Sequence, residues 1–178
     1  MKTALVLPCD EYYDEKLRDK ISRAKENSDI VIMYMHSGGQ FNSHVGAYTK
    51  TLVRRLIDYG CDYVIGSHPH CVLNYEIYKG KFIAYSLGNF CYTPNYGYHY
   101  DGVYSDYSIV LNFYFDTEEK KLTKKTARVT KTVLEPNGNS VVWPVSLLVQ
   151  KVSEKQKQQL KKDVEKVLCR FFGKRNGN

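Results

Sequence analysis

The stretch DYVIGSHPH, residues 62–70, places a short apolar run directly before a loop that contains His68 and His70. A continuous apolar run of this length is typical of a strand that is buried on both faces, as in a parallel sheet. We therefore predict a buried strand at residues 62–65, followed by a loop in which a proline separates two imidazoles.

An earlier stretch, DIVIMYMHSGG, repeats this pattern. It predicts a buried strand at residues 29–35, and His36 comes directly after it with two glycines close behind. A helix at residues 46–59, closed by Gly60, separates the two strands. The β–α–β order favours an α/β fold with mainly parallel strands in the first half.

The spacing of apolar and turn residues predicts the rest of the chain. We interpret residues 1–178 as a single domain, because no change of composition divides them. The other predicted elements are a strand at 3–7, a helix at 14–25, a hairpin of strands 72–78 and 81–86, a surface loop at 89–106, antiparallel strands at 107–115, 122–134 and 140–149, and a final helix capped by Ser153 and Gln156.

The composition excludes several classes of protein. Hydrophobic residues make up 43% and charged residues 25% of the chain, as in a globular protein, and no apolar run is long enough to cross a membrane. Much of the formal charge of +7 lies in the lysine-rich segments 120–131 and 151–174. No nucleic-acid-binding motif accompanies them, so we expect no nucleic-acid partner. A solvated lysine surface is the main interpretation, and a surface that attracts an anionic polymer, lipid headgroups or phosphate is the alternative.

The five cysteines are odd in number and show no CxxC spacing. We interpret them as buried free thiols. A cysteine metal site and a catalytic thiol are the alternatives.

The three loop histidines form the candidate site. The C-terminal ends of parallel strands line the ligand crevice of open α/β sheets, so His36, His68 and His70 converge if their strands are neighbours. In extended backbone, residues two apart point to the same side, which lets His68 and His70 face one centre. Neutral imidazole is the commonest metal ligand and suits zinc, iron, nickel and manganese. The alternative is a tight turn in which histidines bond only to the backbone. The residues that stand where carboxylates would help to bind a hard cation are Gln40, Asn42 and His44.

Three motifs in order, DIVIMYMHSGGQFN, LVRRLIDYGCDYVIGSHPHCV and YKGKFIAYSLGNF, resemble the capsule-synthesis CapA family, also called the poly-γ-glutamate capsule biosynthesis family. That family is similar to calcineurin-like metallophosphatases. The resemblance covers residues 29–90. It implies part of an α/β/β/α sandwich, mainly parallel in the first half and antiparallel in the second, and a protein of the cell envelope outside the cytoplasm.

The resemblance also implies roles for single residues. It places His36, His68 and His70 in a site for a divalent metal, which would be Mn, Fe or Zn, and it makes His36 and His68 the catalytic candidates. In metallophosphatases a metal pair activates water for attack on a phosphoester, and a histidine hydrogen-bonds the phosphate or acts as general acid. Ser86 and Asn89 lie in the motif SLGNF, where we expect them to stabilise a loop.

The chain departs from the family pattern H-W-G-x-E, because Ser37 replaces tryptophan and Gln40 replaces glutamate. No D-x-H, G-D or N-H motif precedes His36, so the chain resembles the C-terminal portion of the family fold and lacks the carboxylates of a complete two-metal site. We expect either a separately supplied N-terminal half or a homo-oligomer. Two functions stay open: a phosphoesterase-like module that acts on an anionic polymer or phosphoester, and a non-catalytic binding or assembly module.

Overall fold

The computed structural model describes residues 11–91 and 102–173. The predicted strand at residues 3–7 and the centre of the predicted loop at 89–106 lie outside these ranges. The elements, in chain order, are α1 (Glu11–Glu26), β1 (Ile32–His36), α2 (Ala47–Asp58), β2 (Tyr63–Ser67), β3 (Tyr75–Tyr78), β4 (Lys81–Ala84), β5 (Tyr107–Asp116), β6 (Lys121–Leu134), β7 (Ser140–Pro144), α3 (Val145–Leu148) and α4 (Glu154–Phe172).

The first sheet has the strand order β1-β2-β4-β3. Strands β1, β2 and β4 are parallel, and β3 returns antiparallel to β4 through the predicted hairpin. Lys79 and Gly80 both have positive φ, which is the geometry of a two-residue hairpin turn. Strand β2 lies in the interior of the sheet. A Cβ atom on Gly66 would lie 2.2 Å from the Tyr85 carbonyl oxygen, so only glycine allows the chain after β4 to approach β2 this closely.

The second sheet is antiparallel, with the order β5-β6-β7. The predicted strand at residues 140–149 is wrong in its second half, because β7 ends at Pro144 and the short helix α3 follows. Proline has no N–H group with which to continue a strand ladder. Burial of Val145 and Leu148 fixes α3 in place.

The first sheet lies between helices and the second sheet. Leu52, Val53 and Leu56 of α2 pack on one of its faces together with Ile21 of α1. On the other face, the rings of Tyr63 and Phe113 have centroids 5.2 Å apart and those of Phe82 and Phe113 5.9 Å apart. Helix α4 completes this second core, and the list of its buried residues is Leu160, Val167 and Phe171. The arrangement is the mixed α/β architecture that the sequence predicts, consistent with part of an α/β/β/α sandwich.

A short segment after β4 joins the two sheets. Ile109 of β5 donates a backbone hydrogen bond of 2.8 Å to Leu87, and Gly88 forms a bridge with Ser108. Gly88 has a φ of 81°, and a Cβ atom there would lie 2.6 Å from the Tyr107 carbonyl oxygen. Glycine is therefore required twice over at this crossing, for its conformation and for its close approach.

The N-terminal ends of β1 and β2 are held by a buried carboxylate. Asp62 accepts a hydrogen bond of 2.9 Å from the Val31 amide and salt bridges of 2.6 Å from both Lys25 and Lys81. Burial by itself would raise the pKa of Asp62, but the two ammonium groups and the amide hold that pKa below its ordinary value. The ionised carboxylate thus links the N-terminal ends of β1, β2 and β4.

Helix α4 begins with the predicted capping box. The Ser153 side chain accepts from the Gln156 amide, and the Gln156 side chain accepts from the Ser153 amide. Across the two described ranges, no helix combines the length and the apolar character that a membrane crossing requires.

The cysteines differ from the prediction that all are buried. Cys61 and Cys71 are buried free thiols, as expected, but Cys91 and Cys169 are free and exposed. Burial raises the pKa of the Cys61 thiol to about 12, so this group stays protonated at neutral pH. Cys9 lies outside the described residues.

Candidate functional site

The two histidine loops pack together at the C-terminal edge of the first sheet. In the parallel register of β1 and β2, His36 is paired with Ser67. Beyond the strands, Ser37 donates a backbone hydrogen bond of 3.1 Å to Ser67, and Phe41 donates one of 2.8 Å to Pro69. The convergence expected from strand ends in the sequence is therefore present.

The loop backbone has a conformation that the sequence did not indicate. His68 and His70 have φ values of 103° and 57°, so the premise that both lie in extended backbone is wrong. Few residues other than glycine adopt positive φ, and such conformations persist where surrounding contacts impose them. Pro69, buried between the histidines, contacts the first loop, because its carbonyl oxygen accepts the hydrogen bond from Phe41.

His36 and His68 are in direct contact. His36 Nε2 lies 2.9 Å from His68 Nδ1, and the ring centroids are 4.7 Å apart. On its other side, His36 Nδ1 lies 3.1 Å from Ser67 Oγ, and that hydroxyl lies within 3.5 Å of the Met35 carbonyl oxygen. Since a carbonyl can only accept, the hydroxyl donates to Met35 and accepts from His36 Nδ1–H. This order leaves His36 Nε2 as the nitrogen with the lone pair.

His70 lies beside this pair, with its ring centroid 6.0 Å from that of His68. Its Nδ1 lies 2.8 Å from Asn89 Oδ1, and its ring stacks on Phe41 at a centroid distance of 5.0 Å. Asn89 also donates to the carbonyl oxygens of His70 and Ser105, at 3.2 and 2.9 Å. The segment after β4 thus contacts both the side chain and the backbone of the second histidine loop.

The environment favours neutral imidazole at His68. Its side chain is half-buried, whereas that of His36 is exposed. Burial lowers the pKa of His68, and the neighbouring charges of His36 and His70 lower it further when they are protonated. A neutral ring is the form in which histidine binds a metal.

The donor set fits a metal site in part. Imidazole nitrogens bind zinc at about 2.1 Å in tetrahedral geometry, so neighbouring donors on one ion lie about 3.4 Å apart. His36 Nε2 and His68 Nδ1 lie 2.9 Å apart, which is the distance of a hydrogen bond between the two rings. Within residues 11–91 and 102–173, however, no group of three or more His, Cys, Asp or Glu side chains is arranged to hold one ion. The two imidazoles can therefore share an ion only if the hydrogen bond between them opens, and the three-histidine metal site stays a prediction.

Four other residues singled out in the sequence lie on the loops near the histidines. Gln40, Asn42 and His44 are exposed on the first loop. The Ser86 side chain is buried and accepts a hydrogen bond of 3.2 Å from the Gly88 amide, in agreement with a role in loop structure. Sequence reasoning missed Ser67, whose only signal is its position between a buried strand and His68.

Comparison with known proteins supports this reading of the motifs. Residues 3–93, about half of the chain and including both histidine loops, match the family described as "Bacterial capsule synthesis protein PGA_cap". The chain is 34% identical over 107 residues to the PGA biosynthesis protein CapA of Bacillus subtilis (strain 168), a segment that covers 60% of this chain and 27% of that protein. It is 34% identical over 80 residues to the capsule biosynthesis protein CapA of Bacillus anthracis, covering 43% of this chain and 20% of that protein.

A further relative is the uncharacterized protein y4sH of Sinorhizobium fredii, 39% identical over 74 residues that cover 40% of this chain and 16% of that protein. The matched segments thus span 27% or less of these curated relatives. Because the family match extends over half of the residues and contains the whole histidine site, the chain belongs to the bacterial capsule synthesis protein family PGA_cap.

Proposed function

We propose that this chain is the histidine-bearing part of a metal-dependent, phosphoesterase-like protein of capsule synthesis. The observation that supports this most directly is the 2.9 Å contact between His36 Nε2 and His68 Nδ1 at the ends of two adjacent parallel strands. Nothing in the packing of a sheet requires two imidazoles to meet at its ligand-binding edge. His68 and His70 in addition have positive φ values, a backbone conformation that is found more often at functional sites than elsewhere.

A divalent ion bound here would supply Lewis-acid polarisation of a phosphoryl oxygen. The protein side of the site would consist of His36 and His68, whose mutual hydrogen bond a bound ion would replace, with His70 next to them. Ser67 orients the His36 ring through Nδ1, so that Nε2 is presented as a donor. Carboxylate ligands would come from groups outside the described ranges, because within them no group of three His, Cys, Asp or Glu side chains is arranged to hold an ion.

The substrate class follows from two features. Two of the three relatives named above are a PGA biosynthesis protein and a capsule biosynthesis protein. In addition, β6 carries five basic and no acidic residues. An anionic polymer, or a phosphoester intermediate in its assembly, is the substrate that these features favour.

Metal content tests the proposal. The purified chain and its His36→Ala/His68→Ala variant are equilibrated with Mn²⁺, Fe²⁺ and Zn²⁺, freed of excess ions, and measured by plasma mass spectrometry. The matched control is His44→Ala, which removes an exposed histidine of the same loop. We expect one of these ions to be retained by the wild-type and control proteins and lost from the double variant. Equal metal content in all three proteins would refute the proposal.

A hydrolysis assay tests the reaction class. With the retained metal, cleavage of a chromogenic phosphodiester is measured for the same three proteins. Metal-dependent cleavage that disappears only in the double variant supports a phosphoesterase, either for the chain alone or after addition of the remaining portion of a relative. Metal binding without cleavage in both preparations would refute the reaction class and leave the metal site standing.

The second candidate is non-catalytic binding of an anionic polymer, which the exposed basic side chains of β6 favour. Lys124, Lys125 and Arg128 are all exposed on this strand. Binding of labelled polyglutamate would be measured by fluorescence anisotropy across a salt series, for the wild type, for a variant with these three residues changed to Gln, and for a control with Lys155, Lys161 and Lys162 of α4 changed to Gln. We expect about a tenfold loss of affinity in the β6 variant and a steep salt dependence. Equal losses in both variants would show only a general charge effect.

A further inference from the structure

The Asn89 side chain contacts His70 from two directions. Its Nδ2 donates to the His70 and Ser105 carbonyl oxygens, and its Oδ1 lies 2.8 Å from His70 Nδ1. We propose that Asn89 is a positioning residue that holds His70 in the tautomer with its proton on Nδ1. This inference deepens the proposed function. It rests on that function only for the statement that a ligand of the site meets the His70 ring.

The orientation of the Asn89 amide is set by chemistry. A carbonyl oxygen can only accept a hydrogen bond, so the amide atom that faces the His70 and Ser105 carbonyls must be the nitrogen. The amide oxygen must then face His70. A flipped amide would place three oxygen lone pairs against each other and lose both donated hydrogen bonds.

The orientation of the amide decides the tautomer of the imidazole. Asn89 Oδ1 is an acceptor, so His70 Nδ1 must carry the proton that is donated across the 2.8 Å distance. In a neutral ring, Nε2 then carries the lone pair. The more populated tautomer of histidine in water has the proton on Nε2, so the protein reverses the intrinsic preference at this position.

The same contacts also fix the ring in space. Phe41 stacks on one face of His70 with an interplanar angle of 21°, and Phe41 is itself tied to the loop through its hydrogen bond to Pro69. One edge of the imidazole is held by Asn89 and one face by Phe41. A ligand of the site would therefore meet His70 Nε2 as a preoriented donor, and loss of such an orienting partner weakens metal binding by about 10- to 100-fold in known sites.

The tautomer can be measured without a metal. In long-range ¹H–¹⁵N spectra of metal-free protein, at a pH where the imidazoles are neutral, the ¹⁵N shifts distinguish a protonated from an unprotonated ring nitrogen. The His70 signals are assigned with a His70→Gln variant, and His44 serves as the exposed reference. We expect His70 to show a protonated Nδ1 and His44 to show mainly a protonated Nε2. A protonated Nε2 at His70 in the wild type would overturn the inference without any variant.

Two variants separate positioning from loop stability. Asn89→Ala removes the acceptor and both donors, whereas Asn89→Asp keeps an acceptor for Nδ1–H and removes the two donated hydrogen bonds. Positioning predicts that His70 shifts toward the Nε2–H tautomer in Asn89→Ala and keeps Nδ1–H in Asn89→Asp. A role confined to loop structure predicts the same spectrum for both variants. Far-UV circular dichroism confirms that each variant is folded before the comparison.

Metal binding distinguishes failure of this inference from failure of the proposed function. With the metal that the wild type retains, we expect affinity to fall by about 10- to 100-fold in Asn89→Ala and by less in Asn89→Asp. If the wild type binds no metal but shows the Nδ1–H tautomer that Asn89→Ala loses, the positioning role stands and the metal function fails. If metal is bound and the tautomer does not respond to Asn89, the positioning role fails alone.

Discussion

Gly66→Ala is expected to separate the two strands at the centre of the first sheet. A Cβ atom at this position would lie 2.2 Å from the Tyr85 carbonyl oxygen and 3.1 Å from that of Ala84, and both are backbone atoms that cannot rotate away. Since real contacts of a Cβ atom stay above 3.0 Å, β2 must move away from the chain after β4 by about 0.8 Å. A hydrogen bond of about 2.9 Å stretched by that amount is no longer one.

The magnitude follows from what is lost. Strands β2 and β4 pair over three residues, and Leu87 donates a further hydrogen bond of 3.2 Å to Gly66. Loss of two or three such bonds, at about 1 kcal/mol each, gives about 3 kcal/mol, which is the upper end of ordinary overpacking costs. For a chain of this size that corresponds to a decrease in Tm of roughly 6 to 12 °C.

Urea denaturation followed by circular dichroism would measure this loss. The control is Gly46→Ala, because a Cβ atom there meets nothing within 4 Å. Gly46 is the N-cap of α2, and its replacement by alanine should lower the free energy of unfolding by less than about 1 kcal/mol. If the two variants lose the same free energy of unfolding to within about 0.5 kcal/mol, the close approach at Gly66 does not constrain the sheet and the reasoning is refuted.

Two further changes test the framework around the site. Asp62→Asn should cost about 1 to 2 kcal/mol, because it removes the charge shared by the partly exposed Lys25 and Lys81. The higher free energy of unfolding of the wild type should be fully present above the ordinary Asp62 pKa of 3.8 and should disappear as the pH falls through the lowered pKa of the folded protein. A difference in urea midpoints that does not change with pH would contradict this expectation. Tyr107→Phe should cost about 1 kcal/mol by removing the 3.0 Å hydrogen bond to Asp163, and an unchanged urea midpoint would show that this bond contributes nothing.

Local sequence signals were sufficient for most of the elements. The apolar runs before His36 and Ser67 identified two parallel strands, and their shared direction explains why the histidines meet at one edge. The turn at Lys79 and Gly80 and the capping box of α4 also have local chemical causes. Each of these predictions depends only on residues that are close together in the chain.

The parts that failed or were missed depend on distant contacts. The residues after Pro144 have a strand-like composition, but burial against other elements holds them in α3. The positive φ values of His68 and His70 flank Pro69, whose carbonyl oxygen accepts a hydrogen bond from Phe41 of the first loop. The contact between Asn89 and His70 joins residues that are 19 positions apart, so no local pattern reports it.

The crossing at Gly88 couples the histidine site to the second sheet. Asn89 follows directly after the residue that bridges to Ser108, and Leu87 just before it accepts from Ile109. A ligand that immobilises His70 and Asn89 is therefore expected to restrain β5 of the second sheet as well. We therefore expect a ligand at the histidines to slow amide exchange at Ile109, and a ligand of the second sheet whose affinity is changed by occupation of the site must change the affinity of the site by the same factor.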